Sequence, residues 1–185
     1  MKYIFALSIF LFSLSYSSLS LANEELEWSV KFGGWSKHNS SKKFGHYDFN
    51  EKHNGIGVQV WKPLSQKPWS LGLEVFNMSD SFGQDANMVS AAGRYRWALG
   101  NEIVSSVDVI AGITYHDRAF LDNVYYRDGD KYVVVEQNIF RDTIITPSLM
   151  LTFTMFERLE LDVTHIPSIS ENEYSVTFFR LGYAF

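Results

Sequence analysis

Eight segments of alternating polarity, joined by connections that run long, short, long, short, long, short, long, constrain this chain more than anything else in it. Successive side chains of a strand point to opposite faces, so each segment reads as a strand with one apolar face. The segments fall near 27–37, 54–62, 69–79, 87–98, 103–116, 143–155, 158–166 and 174–185. In the fifth, Val107, Val109, Ala111, Ile113 and Tyr115 share a face opposite Asp108, Gly112 and Thr114. In the third, Trp69, Leu71, Leu73 and Val75 oppose Gly72 and Glu74. In the seventh, Leu159, Leu161 and Val163 oppose Glu160, Asp162 and Thr164. The last alternates through Phe179, Leu181 and Tyr183 to a terminal Phe185.

A soluble sandwich would turn its apolar face inward and leave the other face to water. Here that other face carries Lys31, Glu74, Arg94, Arg96, Asp108, Glu160, Asp162 and Arg180, a balanced set of acids and bases suited to a mutually paired lumen. Lipid requires every backbone polar group to be paired within the fold, which favours an even, closed set of long strands. The fold expected is therefore all-β, an eight-stranded antiparallel up-and-down transmembrane β-barrel in the bacterial outer membrane. Eight strands enclose room for side chains or one small ligand and no aqueous channel.

The first residues read as a cleaved leader. Lys2 gives a positive start, 4–14 are apolar, and Ser20-Leu21-Ala22 fits a small-x-small cleavage site. This predicts a signal peptide at 1–22 and one barrel domain at 23–185. The chain has no cysteine, so disulfides and thiolate metal sites are excluded. Aromatic residues make up 16%, which suits interfacial girdles. No basic tract suggests nucleic acid, and no phosphate loop or nucleotide fingerprint is present. The His-carboxylate neighbours, His116-Asp117 and His46-Tyr47-Asp48, do not form a metal set, because adjacent strand residues point apart. Neither a metal nor another cofactor is expected, and the barrel reads as a monomer. With the mature N-terminus in the periplasm, the turns at 63–68, 99–102 and 156–157 are periplasmic. The connections at 38–53, 77–86, 117–142 and 167–173 are then external, and 132–135 suggests a short hairpin within the longest.

Three stretches carry a resemblance. Asp80-Ser81 followed by Phe82 is similar to an external Asp-Ser-aromatic segment after strand three of the lipid A palmitoyltransferases of the PagP type. The run 109–117 (Val-Ile-Ala-Gly-Ile-Thr-Tyr-His-Asp) is similar to that family's Gly-Val-Thr-Ala-Arg-Asp strand end. Thr164-His165-Ile166-Pro167 is similar to its Thr-Tyr-Ile-Pro, and Pro147 falls where the family has a proline on strand six. The likeness covers 55–185 and implies an outer-membrane acyltransferase that moves an acyl chain from a phospholipid donor to a lipid A acceptor. It implies His38, Asp80 and Ser81 as the catalytic set. His38 would serve as base, Asp80 as its orienting or charge partner, and Ser81 as nucleophile or oxyanion donor. His46 and His53 share the first external loop and compete with His38. Pro147 and Pro167 would weaken one seam, because proline cannot donate to a ladder, and in the family that seam admits a lipid chain from the side.

An acyl pocket would be lined by Gly72, Phe76, Ser90, Ala92, Gly112, Met150 and Phe178, the small residues leaving room together with Gly57. The family's N-terminal amphipathic helix is missing, and the inward Arg94 and Arg96 would set a floor if paired with Glu74, Asp108 or Asp162. Two other readings stand beside the acyltransferase. One is a non-enzymatic barrel for adhesion or membrane stability. The other is a lipid A deacylase built on His165 and Ser168, whose spacing departs from that of the deacylases.

Overall fold

The computed structural model describes residues 26–39, 49–65, 68–128, 131–166 and 175–185, with backbone alone at 39, 121–128 and 131–137. The expected leader and its cleavage after Ala22 lie outside these residues. Eight strands follow in order: β1 (Glu27–Asn39), β2 (Lys52–Pro63), β3 (Trp69–Ser79), β4 (Asp85–Ala98), β5 (Val104–Asp128), β6 (Lys131–Met155), β7 (Leu159–Ile166) and β8 (Ser175–Ala184). Each pairs antiparallel with its sequence neighbours, and β1 closes on β8. Closure leaves no edge in the wall, as the sequence requires of a structure immersed in lipid.

Alternation sorts the side chains as expected. Ile56, Val58, Leu71, Leu73, Val89, Ile113, Leu149 and Leu151 lie exposed on the outside. Lys31, Glu74, Arg94, Asp108, Glu160, Asp162 and Arg180 are buried inside. Trp69, Tyr95 and Trp97 pack edge to face, with ring centroids 4.8 and 4.5 Å apart, and Tyr183 meets Phe185 at 5.4 Å. They ring the end that carries the short turns, where an interfacial girdle belongs. The β6–β7 turn is the tightest of these. Phe156 and Glu157 both take positive φ, 50° and 66°, the hand that matches strand twist in a two-residue hairpin.

The structure corrects the expectation for 117–142. This stretch is not a loop with a separate hairpin at 132–135, because β5 and β6 run on through it as paired strands of 25 residues each. At ~3.3 Å per residue each extends ~80 Å, about two and a half times the length of a tilted strand of about ten residues that crosses a bilayer. The β4–β5 ladder stops at Asn87↔Asp117 and the β6–β7 ladder at Met150↔Thr164. Beyond those points the hairpin continues as a ribbon of two strands with no further β4 or β7 pair among the described residues. Arg141 clamps its base, with Nε 2.6 Å and Nη2 2.8 Å from the two oxygens of Asp117, and Nη1 donates to the Asp85 carbonyl.

One further local feature sets the site. Pairing of β1 slips between Phe32 and Trp35, where Gly33 and Gly34 take φ of 75° and 131°. This bulge inserts one extra residue and switches the parity of the strand. Counting in twos from the inward Lys31 would turn Trp35 into the lumen. Instead Trp35 is exposed, while Ser36 is buried and faces inward with His38 beyond it.

Candidate active site

Below the rim the lumen is filled by two ionic layers. In the lower one Arg94 and Arg96 share Glu27, at 2.5 and 3.0 Å, and Arg96 also binds Asp108 through Nε and Nη2. In the upper one Arg180 binds both oxygens of Glu74, at 2.7 and 2.5 Å, and donates from Nε to Asp162 at 2.7 Å. Lys31 bridges Glu160 and Asp162, at 2.8 and 2.9 Å. Every inward charge recognised in the sequence is thus paired, as burial demands. Glu27 is a partner the sequence reading missed, because it sits at the first residue of β1. The expected floor changes place: Arg94 and Arg96 form the deeper layer, and Arg180 with Glu74 forms the one nearer the rim.

The small residues do not leave an open pocket. A Cβ on Gly72 would run into the Trp61 ring, one on Gly57 into Phe76, and one on Gly112 into Ala92. Phe76 is itself fully buried, 4.8 Å over the Arg180 guanidinium, and Met150 Sδ accepts from Arg180 Nη2 at 3.7 Å. Ser90 Oγ lies 2.9 Å from Thr114 Oγ1, and Phe178 packs 5.4 Å from His53. Gly72 and Gly57 make room for the Trp61 and Phe76 rings, so the expected lining at Gly72 and Phe76 belongs to a plug, while Gly112 only lets β5 lie close against Ala92 of β4.

At the rim, residues distant in sequence converge. His38 Nε2 lies 2.9 Å from Ser81 Oγ, and its ring stacks on Phe49 at 4.3 Å. His38 Nδ1 has no hydrogen-bond partner among the described residues. Asp80 does not orient His38. Its Oδ1 accepts from the N–H groups of Phe82 and Gln84, both at 2.9 Å, and its Oδ2 from Ala119 N–H at 2.8 Å. Asp80 is buried and acts as the keystone of the turn, pinning it to the base of the ribbon. The Gly83 N–H donates to the Asp80 carbonyl. With all three turn amides committed inward, the turn supplies no oxyanion hole from them.

A second histidine–serine pair lies beside the first. His53 Nδ1 donates to the Ser79 carbonyl at 2.7 Å, so in the neutral ring Nε2 accepts from Ser36 Oγ at 2.8 Å. Both residues are buried. Ser36 was not legible as a site residue, because only the Gly33-Gly34 bulge turns it inward. A nucleophile and an imidazole within hydrogen-bond reach are the parts of an acyl-transfer centre.

Pro147 is exposed on β6, opposite Ile113 of β5. Pro167, Ser168 and His46 lie outside the described residues. His165 points to the outer face, with Nδ1 3.0 Å from Thr177 Oγ1, away from the lumen and the rim.

No family model and no curated protein matches the chain. Among solved structures it is similar to the N-terminal β-barrel domain of Pseudomonas aeruginosa OprF, at 13% identity and a TM-score of 0.43, covering 86% of this chain and 97% of that one. It is similar to Ail, the attachment invasion locus protein of Yersinia pestis, at 14% identity and a TM-score of 0.46, covering 89% and 100%. It is also similar to Neisserial surface protein A, at 6% identity and a TM-score of 0.47, covering 87% and 98%.

Proposed function

We propose that this barrel is an outer-membrane acyltransferase working at its external rim, with Ser81 as nucleophile and His38 as base. One observation carries the reading: His38 on β1 and Ser81 in the β3–β4 turn, 43 residues apart, meet at 2.9 Å. Ser81 Oγ attacks an ester carbonyl carbon as His38 Nε2 takes its proton. The proton then passes to the departing alkoxide, leaving an acyl-serine. An acceptor hydroxyl, deprotonated by the same imidazole, attacks the acyl-serine and restores Ser81. A lipid ester of the outer leaflet is the donor and lipid A the acceptor.

A second reading has its own support. The β5–β6 ribbon and the ion-filled lumen suit a non-enzymatic barrel that presents an external strand pair to a partner. Nothing in the placement of His165 favours the deacylase.

The test is mass spectrometry of lipid A from cells expressing the chain, compared with Ser81→Ala and His38→Ala variants that reach the membrane in folded form. An added acyl mass, lost in both variants, is expected. An unchanged lipid A with the parent barrel properly inserted would sink the acyltransferase and leave the second reading.

A further inference from the structure

We infer that His53 is a positioning residue for the acyl transfer, holding His38 and Ser81 together from below. This rests on the acyl-transfer reading and adds the element that assembles its pair. His53 Nδ1 donates to the Ser79 carbonyl at 2.7 Å, and Nε2 accepts from Ser36 Oγ at 2.8 Å. Each partner lies two residues before one member of the pair, Ser36 before His38 on β1 and Ser79, at the end of β3, before Ser81. One imidazole therefore ties together the two stretches of chain that carry base and nucleophile. Ser36 and His53 are not a second centre, because at 6% and 1% exposure neither can meet a substrate.

The backbone ladder leaves this task to other contacts. Pairing of β2 with β3 stops at Ile56↔Asn77, short of Ser79 and of the turn that bears Ser81. Above that point the start of β2 holds the turn piecemeal. Asn50 N–H donates to the Ser81 carbonyl at 2.9 Å, and its side-chain amide donates to the Asp80 carbonyl at 2.9 Å. On the other side Ser36 N–H donates to the Glu51 carbonyl at 3.1 Å, and Phe49 stacks on His38. His53 is the contact that spans β1 and β3 with a single buried ring. The β1 bulge makes room for it, since a Cβ on Gly34 would lie 3.1 Å from both His53 Cβ and the Phe178 ring. Phe178 in turn packs 5.4 Å from the imidazole. Held at both nitrogens and packed on its faces, the ring fixes how far the top of β3 stands from β1. The 2.9 Å approach of His38 to Ser81 depends on that separation, and small misplacements of reacting groups are costly in rate.

The full chain, refolded in detergent micelles, is assayed by p-nitrophenol release from p-nitrophenyl butyrate and p-nitrophenyl palmitate, with the folded fraction read from heat-modifiable gel mobility. His53→Phe keeps the bulk of the ring and removes both hydrogen bonds. Its kcat per folded barrel should fall roughly tenfold or more while KM stays within about twofold. His53→Asn retains the donor toward Ser79 and His53→Gln the acceptor toward Ser36, so each should recover part of the loss. Ser36→Ala should lower kcat in the parent and cost nothing further in His53→Phe, where its bond is already gone. The two amide variants keep the test open if the phenylalanine form does not fold. Ser81-dependent turnover whose kcat is unchanged in the folded His53 variants overturns the inference and leaves the acyl-transfer reading intact. So does a loss that only tracks the folded fraction and that neither amide variant recovers. Absence of Ser81-dependent turnover with both esters overturns both.

Discussion

Replacing Arg180 with methionine tests whether the upper ionic layer is a coupled unit. Arg180 gives two hydrogen bonds to Glu74 and one to Asp162. Its loss does not fall equally on the two acids. Asp162 keeps Lys31 at 2.9 Å and the Thr152 hydroxyl at 2.7 Å. Glu74 keeps only the Gln59 side-chain amide, at 2.8 Å, among the described residues. The cost is therefore that of stranding one buried carboxylate, about 3–5 kcal/mol. Adding Glu74→Leu removes the stranded charge, and the double variant should return to within about 2 kcal/mol of the parent, since an ion pair exchanged for apolar groups is near neutral. Urea unfolding in phospholipid vesicles, followed by tryptophan fluorescence, measures all four corners of the cycle. A loss below about 1 kcal/mol in Arg180→Met, or a double variant that costs the sum of its parts, would refute the coupling on which the plug depends.

Gly72→Ala should destabilise the barrel by about 1–3 kcal/mol through the clash with Trp61, whereas Gly93→Ala, which has nothing within 4 Å of its new Cβ, should stay within about 0.5 kcal/mol. The same urea titration compares them, and equal effects would contradict the packing described around Trp61. At the ribbon base, hydrogen bonds from the Arg141 guanidinium hold the Asp117 carboxyl below the usual carboxylate range. The clamp is thus complete above that range and is lost as pH falls through the depressed value. Amide exchange around 117 and 141 should speed up on acidification in the parent and be insensitive to acid in Asp117→Asn; a flat profile in the parent would count against the clamp.

The barrel could be read from the sequence because its signal is periodic. A two-residue repeat survives in β3, β5, β7 and β8 whatever the tertiary contacts. The inward charges could be recognised for the same reason, although not their partners, since Glu27 meets Arg94 and Arg96 only once the sheet has closed. Short-range pattern failed where backbone or packing decides. The bulge at Gly33-Gly34 reverses the parity that places Ser36, and glycines that suggested space turned out to admit Trp61 and Phe76. The 117–142 stretch was read as a loop because its alternation is interrupted by charge, yet cross-strand pairing carries both strands through it. At the rim, His38 and Ser81 were found through resemblance, and the structure brings them together. Asp80 was found by the same route, and its carboxylate is spent on backbone amides.

The unequal lengths of the strands have a consequence for how such a wall is assembled. β5 and β6 follow each other in the chain and pair from Asp128↔Lys131 onward, so their ladder zips at almost no cost in loop closure. The β1–β8 ladder joins the two ends of the chain and cannot form until every intervening strand is in place. The ribbon is then the natural first piece, a preformed stave on which β4 and β7 align before the seam closes. A chain shortened within 118–141 would lose that early nucleus, and its defect would show in the rate of insertion before it showed in the finished barrel.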